Sequence, residues 1–441
     1  MRIVILLITL FSTLTLNTAS AFDRYTAHGG PIKGLAYSAD LTLLVSTSFD
    51  YTAVVWDSSS MKELKQLVGH NAAVNTAAFS PDGRWLATAG DDNQILLWEV
   101  SSLRDPKIKP VPRSLNGHTA KIIHLDFSGD GKHLASASWD RRVGIWDIST
   151  LKIKHYLSGH QGPVNAAQFS GDGRYVYSGG SDGHIRLWNL ATGEYVRSIV
   201  KNGFGINVMH LSPTLNVLAY GGSNGVMRSI PLSGDGPEIE LWNGGPPVLA
   251  VTIDSKKEKM IFATSEGRVV IADAVVGDIH HDFTAIKGPI WGIQLANNAE
   301  DLFFAGLDDW VTKITLSDFI VPHPLADSDR RFHPDQPIDN GQKQFARKCS
   351  VCHSLTVSSK RRAGPTLYGV FGRKVGAVPD YPYSKELTEM DLVWDEETID
   401  LLFKKGPDVV TPGSKMPVQR IKGEQDRADL IGYLKRATAP Q

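Results

Sequence analysis

An apolar residue recurs at Ile32, Val74, Ile122, Val164, Ile206, Val248 and Ile290, at steps of 42, 48, 42, 42, 42 and 42 residues. The one long step contains a Pro-rich insertion from Arg104 to Pro112. A fixed period of this length makes each repeat one supersecondary unit that buries its apolar face only against its neighbours. Inside each unit, three short alternating runs are separated by turn residues such as Ser80-Pro81-Asp82-Gly83 and Ser170-Gly171-Asp172-Gly173. A further run leads into the next unit, so the pattern predicts four short strands per repeat and seven repeats.

The first four units also share residues. Gly69-His70, Gly117-His118 and Gly159-His160 stand at equivalent places, with Ala27-His28 in the first unit, and the units close on Trp56-Asp57, Trp98-Glu99, Trp146-Asp147 and Trp188-Asn189. These units resemble WD40 repeats closely, while units five to seven keep the spacing and turn acids such as Asp308. The resemblance implies an all-β seven-bladed propeller over residues 22–316. The last unit, ending at Val311–Leu316, has only three strands, and Phe22–His28 precedes the first. We expect that N-terminal strand to complete blade seven and remove an exposed edge. The sets His70, Thr88, Asp92, Trp98 and His160, Ser178, Asp182, Trp188 imitate a catalytic triad, but the resemblance implies structural tetrads, and an active site is not normally repeated. His280-His281 reads as a solvated polar connection before the seventh unit rather than a metal pair. No cofactor motif stands out in this region.

Met1-Arg2, the apolar run Ile3–Phe11 and the Ala19-Ser20-Ala21 site read as a secretory signal cleaved after Ala21. The apolar run is too short for a membrane span, which needs about 20 residues, and no later segment is apolar enough, so no membrane span is expected after cleavage. Export and cysteine usage together suggest the bacterial periplasm. The net charge of −1 argues against a general nucleic-acid binder. The charge is uneven: 17 of the 46 Lys/Arg and 13 of the 47 Asp/Glu lie from Pro337 onward, which leaves that part +4 and the rest −5.

Residues 317–337, with Pro322, Pro324, Pro334 and Pro337, read as a connector. The period then becomes helical, with Gly341, Phe345 and Cys349 on one face. That face ends at Cys349-Ser350-Val351-Cys352-His353, a CxxCH holding both cysteines of the chain. This spacing is the attachment signature of c-type haem, with two thiols for the vinyl groups and an adjacent imidazole for the iron. A redox disulfide would call for a βαβ context, and a zinc site for a second ligand pair; the chain has neither.

Downstream come Ala363-Gly364-Pro365-Thr366-Leu367-Tyr368-Gly369, Tyr381-Pro382-Tyr383, Trp394, Pro412-Gly413-Ser414-Lys415-Met416 and Asp429-Leu430-Ile431-Gly432-Tyr433-Leu434. In this order they resemble a class I, mitochondrial-type cytochrome c over nearly all of residues 338–441, a small all-α domain. The resemblance implies one covalent haem c on Cys349 and Cys352, with His353 and Met416, 63 residues later, as axial ligands. It further implies that the Pro365 carbonyl orients His353, that Arg373, Tyr383 and Trp394 receive a haem propionate, and that Gly341 and Phe345 pack on Tyr433. The chain departs from the family in having Leu402 where a tyrosine usually meets the methionine sulfur, and Val418 two residues after the ligand. Lys360, Arg361, Arg362, Lys374, Lys404, Lys405 and Lys415 read either as the basic rim that, by the resemblance, steers acidic redox partner proteins, or as an ordinary solvated face.

The expected function is one-electron transfer, with the propeller docking a partner or scaffolding the carrier. An alternative is an oxidoreductase whose propeller holds a substrate or second cofactor and passes electrons to the haem. A third, a redox or gas sensor, requires Met416 to leave the iron readily.

Overall fold

The computed structural model describes residues 23–296, 300–316, 339–357, 362–379 and 381–439. The expected signal segment, the 317–337 connector, Lys360 and Arg361 lie outside the described residues.

Seven four-stranded antiparallel sheets form the larger part. Their innermost strands, Ile32–Tyr37, Val74–Phe79, Ile122–Phe127, Val164–Phe169, Ile206–Ser212, Val248–Asp254 and Ile290–Leu295, begin at the periodic residues. Each packs against the innermost strand of the next sheet, and the seventh packs against the first. The result is a closed ring, a seven-bladed propeller. In every blade the pairing of the two inner strands shifts register directly after the periodic residue, for example between Ile32 and Gly34 and between Val164 and Ala166. An extra residue at that point raises the local twist each blade needs near the axis.

The cores lie between blades rather than within them. Ala135, Val143 and Ile145 of blade three pack with Val164, Val176 and Trp188 of blade four. Burial of each apolar sheet face is therefore supplied by the neighbouring blade. The ring closes as expected: Asp23–Thr26 pairs antiparallel with Trp310–Thr315, Asp23 opposite Lys313 and Thr26 opposite Trp310. Ala27, Ile32 and Trp56 share a core with Phe303 and Val311 across the seam. His280-His281 differs from the sequence reading: both belong to the outer strand Ile279–Thr284 of blade six. That strand's exposed residues are polar enough to read as a loop, while Phe283 alone turns inward.

Blades one to four each carry the tetrad. In blade three, His118 Nδ1 lies 2.7 Å from Asp140 and Nε2 2.8 Å from Ser136 Oγ, and Trp146 Nε1 donates to the same Oγ at 2.8 Å. His70, Thr88, Asp92 and Trp98 repeat the arrangement. The set is buried and fully bonded, and it ties the loop before a blade to its second and third strands. Helix α1 (Val100–Arg104) opens the long insertion of blade two.

The smaller part is helical: α2 (Asn340–Lys348), α3 (Lys385–Glu389), α4 (Glu396–Lys405), α5 (Pro407–Val410) and α6 (Glu424–Ala437). Asp339 caps α2 by accepting from Gln342 N, and Asp395 with Thr398 forms a capping box on α4. Where α2 crosses α6, a Cβ on Gly341 would come within 2.1 Å of the Asp429 carbonyl oxygen, so only glycine permits the approach. Phe345 meets Tyr433 with ring centroids 5.7 Å apart. Among the described residues no helix is long and apolar enough to cross a membrane.

Candidate haem site

Helix α2 delivers Cys349, its C-terminal cap, into the interior, and the chain then turns tightly. Cys352 N and His353 N both donate to the Cys349 carbonyl, at 3.1 and 2.9 Å. This turn places two thiols and an imidazole on one wall of a cavity. Met416, Leu367, Leu402 and Phe403 also line the cavity, as do Arg373, Tyr383 and Trp394.

His353 Nδ1 lies 2.7 Å from the Pro365 carbonyl oxygen. A carbonyl only accepts, so Nδ1 carries the proton and the Nε2 lone pair is left for a metal. Burial pushes the ring's pKa below its ordinary value, with the Pro365 carbonyl opposing, which keeps the imidazole neutral as a ligand must be. Gly364 makes room for the ring: a Cβ there would approach His353 Cε1 to 2.4 Å. Burial pushes Cys349 up to about 12 and Cys352 up to about 11. Thiol-redox pairs have lowered values instead, so these thiols are poorly suited to disulfide exchange.

Arg373 and Trp394 are set by a short antiparallel contact, in which Trp394 N donates to the Arg373 carbonyl at 2.9 Å and Gly372 N to the Trp394 carbonyl at 2.7 Å. The Arg373 guanidinium also donates to the Thr366 and Tyr368 carbonyls at 2.6 and 2.7 Å. It is anchored at the cavity wall and carries a positive charge to a place where an acidic substituent could be balanced. Met416 follows the turn Thr411–Ser414, and its N–H donates to the Ser414 hydroxyl oxygen at 3.0 Å.

Among the lining residues that escaped the sequence reading, two bear on the site. Gln419 lines the cavity, and its buried Oε1 has no hydrogen-bond partner among the described residues, a polar atom that fits a ligand group at the wall. The other, Tyr51, comes from the propeller. Neither stands in a motif, and Tyr51 is over 300 residues away from Met416 in the chain. The basic rim is only partly assembled for a partner: Lys404 and Lys405 are exposed, Lys374 pairs with Asp391 at 3.3 Å, and Lys415 bonds to the Asn71 carbonyl.

A cavity with one buried and one half-buried thiol, a tautomer-fixed imidazole, a thioether, an anchored guanidinium and an amide oxygen without a partner among the described residues fits a covalently held haem c. The fold and site thus define a seven-bladed propeller joined to a haem-binding helical domain. Residues 21–57, 61–99, 110–147 and 151–189 match the family described as "WD domain, G-beta repeat", and residues 338–438 match "Cytochrome c". The same region is 41% identical over 107 residues to cytochrome c of Sesamum indicum, covering 24% of this chain and 95% of that protein. It is 40% identical over 106 residues to cytochrome c of Theileria parva, covering 24% of this chain and 90% of that protein. Through this domain the chain belongs to the cytochrome c family.

Proposed function

We propose that the protein is an exported one-electron carrier, working in the periplasm, in which one haem c is held by Cys349 and Cys352 between His353 and Met416. Cys349 and Cys352 would hold the haem with His353 and Met416 as its iron ligands, and the bound group would supply one-electron exchange at a raised potential. The residues supply the rest. Pro365 and Gly364 fix the plane and tautomer of His353. Arg373, Tyr383 and Trp394 offset the buried charge of a propionate, and Leu367, Leu402 and Phe403 keep water from the cavity. The propeller brings a redox partner protein to this domain, and its acidic balance against the basic helical domain supports a division of labour between the two surfaces.

The observation that carries the reading is the 2.7 Å contact from His353 Nδ1 to the Pro365 oxygen, which aims the free imidazole nitrogen into a cavity also lined by Met416. The test is Met416→Ala in the exported, haem-loaded protein. Haem should remain attached, the reduction potential should fall, and the weak near-infrared sulfur-to-iron band should vanish. Retention of that band would rule out Met416 as ligand. A mature N-terminus at Phe22 in periplasmic extract is the matching expectation for export.

A further inference from the structure

Tyr51 occupies the turn Phe49-Asp50-Tyr51 between the second and third strands of blade one. Its φ is +71°, in the left-handed region that is unfavourable for a side chain with a Cβ. The same turn position in blades two to six holds Asn93, Arg141, Gly183, Gly225 and Gly267, all with positive φ. The propeller thus imposes the backbone geometry, and a bulky tyrosine is poorly suited to it. The turn itself is tightly held, since Asp50 accepts from Gly29 N at 2.8 Å and Thr52 N at 2.9 Å and contacts His28 of the tetrad at 3.0 Å.

Tyr51 is only 6% exposed, whereas Arg141 at the equivalent place is exposed. Gly29 beside it is buried, although its counterparts Asn71, Thr119 and Gln161 are exposed. The helical domain accounts for the cover. Tyr51 lines the same cavity as Cys352, His353 and Met416. Its hydroxyl bonds with that of Tyr381, which in turn donates to the Ala363 carbonyl. Lys415, next to Met416, donates to the Asn71 carbonyl of blade two, and its ammonium lies 5.8 Å from the centre of the Tyr51 ring.

We infer that Tyr51 is a positioning residue of the haem site supplied by the propeller: it seals the cavity rim beside the Met416 turn, and the Lys415–Asn71 contact holds the seal shut. This rests on the reading that the cavity holds haem. The strained backbone at Tyr51 is offset by the apolar and hydrogen-bonded contact it makes across the two domains. The Lys415 edge is thereby closed to partners, which must approach the haem domain elsewhere, and small solutes are kept from the Met416 side.

The experiment uses the full-length, haem-loaded protein and three variants. Tyr51→Gly installs the residue that blades four to six carry, so the turn keeps its geometry. It should lower the reduction potential, let ascorbate reduce the ferric protein several-fold faster, and speed amide hydrogen exchange in the loops 49–52 and 69–72. Tyr51→Phe, which keeps the ring, should restore most of the potential and of the slow reduction. Lys415→Ala should likewise speed exchange at 69–72 and reduction by ascorbate, with the sulfur-to-iron band retained. Wild-type potential, reduction rate and exchange in both Tyr51→Gly and Lys415→Ala would overturn the inference. If the wild-type protein carries no covalent haem by its reduced pyridine spectrum, the haem reading fails instead, and the exchange comparison still decides whether Tyr51 and Lys415 join the domains.

Discussion

Asp126, on the innermost strand of blade three, accepts from Phe169 N of blade four at 2.8 Å. Burial pushes its carboxyl up to about 7, against the lowering effect of that one amide. A raised carboxylate pKa means the folded protein keeps a proton that the unfolded chain releases, so stability falls as pH rises from about 4 to about 7 and is flat above. Asp126→Asn keeps an acceptor for Phe169 N and removes the ionisation. It should raise propeller stability by on the order of 1–2 kcal/mol at pH 8 and leave it unchanged at pH 4, as read from urea unfolding at the two pH values; an equal effect at both would show that ionisation is not involved. Asp126 was invisible in the sequence because its burial is made by the neighbouring blade, 43 residues on. Tyr51 was missed because its neighbours at the cavity come from the helical domain, and Gln419 because it stands in no motif. Cys349, Cys352 and His353 were legible because covalent attachment and ligation demand adjacency within one turn, so the chemistry is written locally. Met416, Arg373, Tyr383 and Trp394 carry no such local mark and stood out only by their likeness to a family.

The strand Asp23–Thr26 tests closure at the level of the element. It pairs over four residues with Trp310–Thr315, and Arg24 lies over the Trp310 ring at 4.9 Å. A chain beginning at Ala27 keeps His28 and its tetrad but leaves the outer edge of blade seven unpaired. Lost ladder bonds at about 1 kcal/mol each should lower propeller stability by on the order of 3 kcal/mol, and the bare edge should promote association. Thermal melting with light scattering checks both, and an unchanged melt would mean that the ring does not depend on this strand. The missing fourth strand of unit seven was countable in the sequence, because the period leaves a vacancy that only the N-terminal segment can fill. The outer strand with His280 and His281 was not: in Ile279–Thr284 Phe283 alone is buried, so the alternation that marks a strand is nearly absent.

Across the whole molecule, two bodies with different kinds of core share one chain. The propeller's core is interlocked side chains passing from blade to blade, with Trp98, Trp146 and Trp188 buried at its seams. The helical domain instead surrounds a cavity, and its apolar cluster, Phe345, Cys349, Leu402, Phe403 and Leu430 among others, is built around that space. A small domain whose core is partly a ligand loses most of its stability without it. Both cysteines lie in the helical domain, so Cys349→Ala with Cys352→Ala removes covalent attachment without touching the propeller. Nine of the ten tryptophans precede residue 317, leaving only Trp394 to the helical domain, so tryptophan fluorescence reports the propeller and helical circular dichroism reports the other body. In the double variant the helical signal should lose its cooperative melt. The tryptophan transition should persist, lowered by a few degrees through loss of the contacts Tyr51 makes with Tyr381 and Asn71 with Lys415. Loss of both transitions together would show instead that propeller and haem domain fold as one cooperative unit, with the Tyr51 contact as the coupling between them.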